Sequence, residues 1–188
     1  MLSEPRLHPN GFIQVNINDF RRINIWDESL PPAQTINTPI HDHTFDFTSR
    51  IVAGTLIHIA YDFTQDQKGD FELWGVQPWL DGEETQLKKL PGMRGNLSEF
   101  ESLRLPAGYQ YQFHAGWFHE TKHEGFTVTV MTKTRKNVTA GARVAVPQGG
   151  SVDNTFVRDI EQVHLLLPYV HKALVYLDAD TLGETLDA

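Results

Sequence analysis

The chain has 188 residues, with 16 basic and 24 acidic side chains and a formal charge of −8 at neutral pH. An acidic balance repels a phosphate backbone, which argues against a nucleic-acid partner. Cysteine is absent, and that excludes disulfides, thiolate metal sites and a cysteine nucleophile.

Apolar residues make up 40% of the sequence and aromatics 11%, enough to bury a core, and the length suits one domain over 1–188. No apolar run approaches the roughly 18 residues of a membrane helix. The nearest, Ile51 to Ala60, contains Thr55 and His58. The opening Met1–Arg6 lacks the basic-then-apolar order of a secretory leader. The expectation is a soluble cytoplasmic protein acting on a small molecule, without a membrane or nucleic-acid partner.

Taken in chain order, short apolar runs alternate with polar residues, the signature of strands. Phe12–Ile17 and Arg22–Trp26 come first. Phe45–Ala53 and Thr55–Phe63 follow, with Gly54 between them as a bend. Phe71–Trp74 is next, and after it the alternation fails between Gly75 and Gly95, around Asp81-Gly82-Glu83-Glu84 and Lys88-Lys89. That interval reads as a solvated surface loop. Ser102–Leu105, a turn at Pro106-Ala107-Gly108, then Tyr109–Phe113, Phe126–Thr132 and Arg143–Val146 complete the strands.

Helical spacing is found near the end, at Val157, Ile160, Val163, His164 and Leu167 behind the caps of Asp153-Asn154-Thr155. Pro168 should end or kink this helix, and the helical segment covers about 155–178. The pattern is mainly β, a sandwich or small barrel with a C-terminal helix packed against it. Phe12–Ile17 could cover a strand edge in cis or in trans, which leaves a homodimer open.

Among nine histidines, His41 and His43 flank Asp42 at the start of a strand-like run. Side chains at i and i+2 share a face of a strand, so both imidazoles reach one point while Asp42 turns away. The same parity sends Phe45 and Phe47 inward, making an apolar mouth for a small organic ligand. A second stretch, Gly108 to His123, reads as a strand, a tight turn at Gly116 and then His119. His119 would bring a third ligand from a different strand. Three neutral imidazoles suit Fe, Ni, Cu or Zn.

These residues resemble the cupins, small double-stranded β-helix barrels. The second cupin motif, G-x5-P-x-G-x2-H-x3-N, is matched at Gly108, Gly116 and His119, with His114 in the proline place and His123 in the asparagine place. The first, G-x5-H-x-H-x3,4-E-x6-G, is matched at His41, His43 and Gly54, with Thr35 in the place of its leading glycine. The resemblance covers about residues 35–135. Its glutamate falls on Phe47 or Thr48. Asp46 stands nearby with the wrong parity and could ligate only through a bulge.

A three-histidine cupin site is similar to that of the thiol dioxygenases, whose I-H-D-H-T is read here as Ile40-His41-Asp42-His43-Thr44. This resemblance implies Fe(II) on His41, His43 and His119, with Ni, Zn or Cu able to replace it. It implies a substrate-clamping arginine on an earlier strand, for which Arg22 is the counterpart. That family's tyrosine place falls at Thr132 or a neighbour, and its crosslinking cysteine place holds Thr48.

The residues leave three functions open. The first is a non-haem iron dioxygenase acting on a small thiol or acid. The second is a redox-neutral isomerase, lyase or hydrolase, for which His58, Tyr61 or Glu120 could serve as base. The third is a non-catalytic module that binds a small ligand. His123 could orient a ligand histidine or lie at the surface. Arg22, Arg50, Arg104 and Arg143 could each meet an anion.

Overall fold

A computed structural model describes residues 2–30, 39–78, 84–136, 141–150, 155–157 and 163–177. Its strands are β1 (Arg6–His8), β2 (Phe12–Asn16), β3 (Arg21–Trp26), β4 (Phe45–Gln65), β5 (Phe71–Pro78), β6 (Glu84–Pro106), β7 (Gln110–Phe113), β8 (Phe118–Lys136), β9 (Arg143–Pro147) and β10 (Thr155–Val157). One helix, α1 (Val163–Leu174), follows. The architecture is the mainly antiparallel, curled β fold with a C-terminal helix that the sequence predicts. Thr35, Asp153, Asn154 and Ile160 lie outside the described residues.

The strands join in the order β1-β2-β3-β8-β4-β6-β5-β9, with β7 on β4 and β10 on β6. Long β4 and β8 belong to two layers at once. Their halves around Phe45–Ala53 and Val128–Lys136 pair with each other, and β8 continues to β3. Their other halves, Thr55–Tyr61 and Phe118–Glu124, turn into a second layer with β6.

Gly54 makes that turn. Its φ is +72°, and a Cβ there would stand 2.2 Å from the Phe126 carbonyl oxygen. The register against β8 shifts on either side of Ala53. The two strands predicted around Gly54 are therefore one bent strand.

Burial follows from this layering. Ile13, Val15, Ile23 and Ile25 face outward onto α1, which inserts Leu166, Val170 and Ala173 at helical spacing. The alternate residues Phe12 and Trp26 face inward between the layers, with Ile51, Leu56 and Leu105. Apolar residues on both faces of β3 are what a strand covered on both sides requires.

Two expectations are corrected. The interval from Gly75 to Gly95 is largely strand, pairing Gly75 with Lys88 and Val76 with Leu87; residues 79–83 lie outside the described ones. A register shift between Glu72 and Trp74 hid the alternation by giving β6 extra residues. Leu90 and Met93, which fall in that excess, pack onto the cluster of Leu73, Phe118 and Ala145. Lys89 is held by an ion pair to Glu72 at 2.7 Å.

The helix, too, begins later than expected, because Thr155–Val157 is a strand on β6. Pro168 lies inside α1 instead of ending it. It sits on the exposed side, while the buried positions on the other side hold the helix in place.

Residues 40–43 close the assembly. His41 bridges β8 at His119 on one side and β9 at Val144 on the other. The ring β8-β4-β6-β5-β9 is thereby completed through a single short segment. Its far face holds Leu73, Phe118 and Ala145, with Tyr61 and Phe63 packed against them.

Replacing Gly54 with Ala forces a side chain into backbone at a positive φ. Chemical denaturation should show a loss of about 3 kcal/mol. A variant within about 0.5 kcal/mol of wild type would mean that the bend does not need glycine.

Candidate metal centre

The closing segment also places the candidate ligands. The His41 N–H donates to the His119 carbonyl at 3.0 Å and the His119 N–H to the His41 carbonyl at 2.8 Å. Two strands tied so closely carry their side chains on one face as neighbours. His43, two residues on, shares the face of His41. Its carbonyl accepts from the Gly116 N–H at 2.9 Å, tying it to the turn before β8.

From the other side, Asp42 points away from the histidines. It is 2% exposed and accepts from the Arg143 backbone N–H at 2.5 Å and from Arg143 Nε at 2.6 Å. Burial pushes its carboxyl up, and the Arg143 charge pulls it back down. This buried pair pins the segment to β9.

The three predicted ligands converge. One nitrogen from each of His41, His43 and His119 lies within 4.8 Å of the other two. His43 Nε2 and His119 Nε2 are 3.1 Å apart, and two ligands about 2.1 Å from one ion at roughly a right angle stand about 3 Å apart. The residues present therefore fit a metal ion.

The far nitrogen of His41 supports the same assignment. His41 Nδ1 lies 2.7 Å from the Pro39 carbonyl, to which Nδ1–H donates, leaving Nε2 bare. His119 Nδ1 lies 3.1 Å from His58 Nε2. For His119 Nε2 to ligate, its Nδ1–H must donate to His58, and neutral His58 then carries its proton on Nδ1. That atom is buried without a hydrogen-bond partner among the described residues.

Burial lowers all four imidazoles, to about 4 for His41 and His58 and well below the usual 6.5 for His43 and His119. The charge of Arg22 adds to this at each of the three ligands. All are neutral at pH 7, as ligation demands.

Aromatic rings surround the centre. Phe45 stacks on His43 at 5.0 Å and Phe47 meets it edge-on at 5.3 Å. Phe113 lies 4.7 Å from His119. Beside the histidines is a small cavity of about 30 Å³, with Arg22, Asn24 and Thr129 in its wall. Arg22 also lines an outer groove with Gln14, Asn16, Asn18 and Lys133.

Other candidates fall elsewhere. Tyr61 donates to Glu120 at 2.6 Å, and Tyr61 packs with the cluster on the face away from the histidines. Burial and then Glu120 push the Tyr61 phenol up, away from use as a base. Adjacent residues of β8 alternate faces, which turns Glu120 away from His119.

His123 donates through Nδ1 to Gly125 and lies four residues along β8, about 13 Å from His119. The orienting partner is His58. A register shift does occur after Asp46, yet Asp46 stays outside the ligand group and accepts from the Ala115 N–H at 2.7 Å. Of the arginines, Arg143 is taken by Asp42 and Arg104 by Glu124 at 2.6 Å. Arg50 lies exposed without being free of contacts, and Arg22 stands at the cavity, where its Nη1 donates to Gln14 Oε1 at 3.2 Å.

Thr48 and Thr132 are paired across β4 and β8, but neither lines the cavity. The sequence reading passed over Asn24 and the Asp42–Arg143 pair. Asn24 was legible as the polar middle of the alternation Arg22-Ile23-Asn24-Ile25-Trp26. The ion pair, 101 residues apart in sequence, carried no local signal.

No family model matches the chain, and no curated protein matches it in sequence. Among solved structures it is similar to the hydroquinone 1,2-dioxygenase PnpCD in complex with Cd2+ and 4-hydroxybenzonitrile, at 16% identity over 64% of this chain and 61% of that one, TM-score 0.32. It is similar to the hydroquinone 1,2-dioxygenase of Sphingomonas sp. TTNP3 with 4-hydroxybenzoate bound, at 12% identity over 65% and 64%, TM-score 0.32. A protein of unknown function with a cupin-like fold from Ralstonia eutropha JMP134 aligns at 16% identity over 93% and 72%, TM-score 0.19. This chain thus spans less than two thirds of either dioxygenase chain. Likeness at these scores carries no inference about ligands or substrate, which rest on the geometry above.

If His58 holds the His119 tautomer, His58→Phe should weaken zinc binding by about 10- to 100-fold. His58→Gln, whose amide oxygen can accept from Nδ1–H, should recover most of it. Competition titration against a chelator reads both, and equal affinities for Phe, Gln and wild type would contradict the assignment.

Proposed function

We propose that the protein is a non-haem iron dioxygenase of the cupin kind, acting on a small anionic organic molecule, with His41, His43 and His119 as its metal ligands. The observation that carries this reading is the convergence of three neutral imidazoles in an aromatic, partly closed cavity. Ferrous iron bound there would supply open coordination positions and a one-electron route to dioxygen. Zinc, nickel or copper would compete for the same ligands, so the metal found after purification need not be the working one.

The ligand set shapes the choice of substrate. Three neutral imidazoles leave the charge of a divalent ion uncompensated, and Arg22 adds a further positive charge at the cavity wall. An anion, a thiolate or carboxylate, is what this field attracts. Arg22 is the counterpart of the clamping arginine in the thiol dioxygenases, and the resemblance ends near there. The places of that family's cysteine and tyrosine hold Thr48 and Thr132, away from the cavity.

The protein's own groups hold, position and exclude water. His58 and Pro39 orient two ligands through their far nitrogens. Phe47 and Phe113, 3% and 2% exposed, keep the surroundings apolar, which strengthens electrostatic contacts and shields reactive oxygen species from water. Redox-neutral chemistry would need a base within reach of the substrate. The candidates do not supply one: His58 lies fully buried behind His119, Tyr61 and Glu120 are on the other face, and burial raises the Tyr111 phenol.

Anaerobic loading with Fe(II) should give one equivalent of iron per chain and oxygen uptake with one of a panel of small thiols and hydroxy acids. His119→Ala should lower metal affinity at least 100-fold and abolish that uptake. Failure of the wild type to hold any divalent metal at neutral pH would overturn the reading. Substrate turnover by the zinc form without oxygen uptake would favour the redox-neutral class.

A further inference from the structure

We infer that Asn24 reads a hydroxyl group on the substrate, so that the cavity selects a small hydroxy acid over both the plain acid and the amino acid. The inference rests on the anionic, metal-bound substrate proposed above and names its class. Asn24 lies in the middle of β3 with Arg22 and Trp26, and all three line the cavity beside His41, His43 and His119. It is 5% exposed. Its Nδ2 donates to Thr129 Oγ1 at 3.3 Å, while its Oδ1 is buried with no hydrogen-bond partner among the described residues.

A buried carbonyl oxygen without a partner is costly, and surrounding structure nearly always satisfies such an atom. The side chain that carries it lines the cavity. A substrate that supplies a hydrogen there gains that bond, and an analogue without one leaves the oxygen unpaired. Sites that hydrogen-bond a substrate hydroxyl discriminate strongly for this reason.

Charge decides between the two common donors. An ammonium group would enter a wall that holds Arg22 and three metal-ligating histidines, and none of the lining residues is Asp or Glu. No acidic side chain would compensate its charge, and the metal and Arg22 would repel it. A hydroxyl brings the same donor without the charge. Its carboxylate remains available to the metal or to Arg22.

Zinc-loaded protein, which cannot support oxygen chemistry, allows binding to be read alone. Glycolate, acetate and glycine form the probe set, titrated calorimetrically into wild type, Asn24→Leu and Asn24→Asp. Wild type should prefer glycolate over acetate and bind glycine weakest. Part of the glycolate preference reflects chelation by zinc, and that part should persist in Asn24→Leu. The share read by Asn24, about threefold to tenfold in the glycolate-to-acetate ratio, should disappear.

Asn24→Asp keeps an oxygen in place and should retain the ratio even if both acids bind more weakly. Asn24→Val, suited to a strand, replaces the Leu variant should that one fail to fold. An unchanged ratio in the apolar variants, glycine binding as tightly as glycolate, or no binding of either acid to the zinc form would each overturn the inference. Wild-type protein that holds no zinc would contradict the metal reading instead. The same ratio measured on metal-free protein then decides the role of Asn24.

Discussion

The candidate centre depends on one backbone contact, the paired hydrogen bonds between His41 and His119. They close the ring of strands, and they also set the spacing of two ligands from distant parts of the chain. On the reverse of the same segment, Arg143 grips the buried carboxylate of Asp42 through its backbone N–H, Nε and Nη2. A buried ion pair adds little net stability against an apolar replacement, but it is strongly orienting because breaking one partner leaves a charge uncompensated. It is placed where orientation matters, one residue from each of two ligands.

The division of faces follows from the same closure. Even-numbered residues of the segment, Ile40 and Asp42, turn toward the cluster around Phe118 and to Arg143. Odd-numbered ones, His41 and His43, turn toward the cavity between the layers. Glu120 and Tyr61 are left on the first face, away from the histidines. The cavity itself therefore combines positive charge, neutral hydroxyl and amide groups and aromatic walls without a carboxylate. Such a field admits anions and discourages cations, whatever reaction follows.

Much of this was legible in the sequence because it is periodic. Strand parity alone put His41, His43, Phe45 and Phe47 on one face, and glycine spacing placed His119 after a turn. Parity also kept Asp46 out of the ligand set, and the observed register shift beside it did not change that. What escaped was set by long-range pairing. The extra β6 residues that carry Leu90 and Met93 erased the alternation that would have revealed the β5–β6 ladder. Pro168 stopped no helix, because packing of Leu166, Val170 and Ala173 outweighed its missing N–H. His58 was read as a candidate base, since only the fold shows that its ring stands behind His119.

If closure of the ring sets the site, the ligands are in place before any metal arrives. Amide hydrogen exchange of His41 and His119 in metal-free protein tests this most directly, because both N–H groups belong to the closing bridge. They should be protected to the same degree as the buried strands β4 and β8. Exchange at the rate of an open loop, with protection gained only when metal is added, would show that the metal organises the segment and would contradict the account.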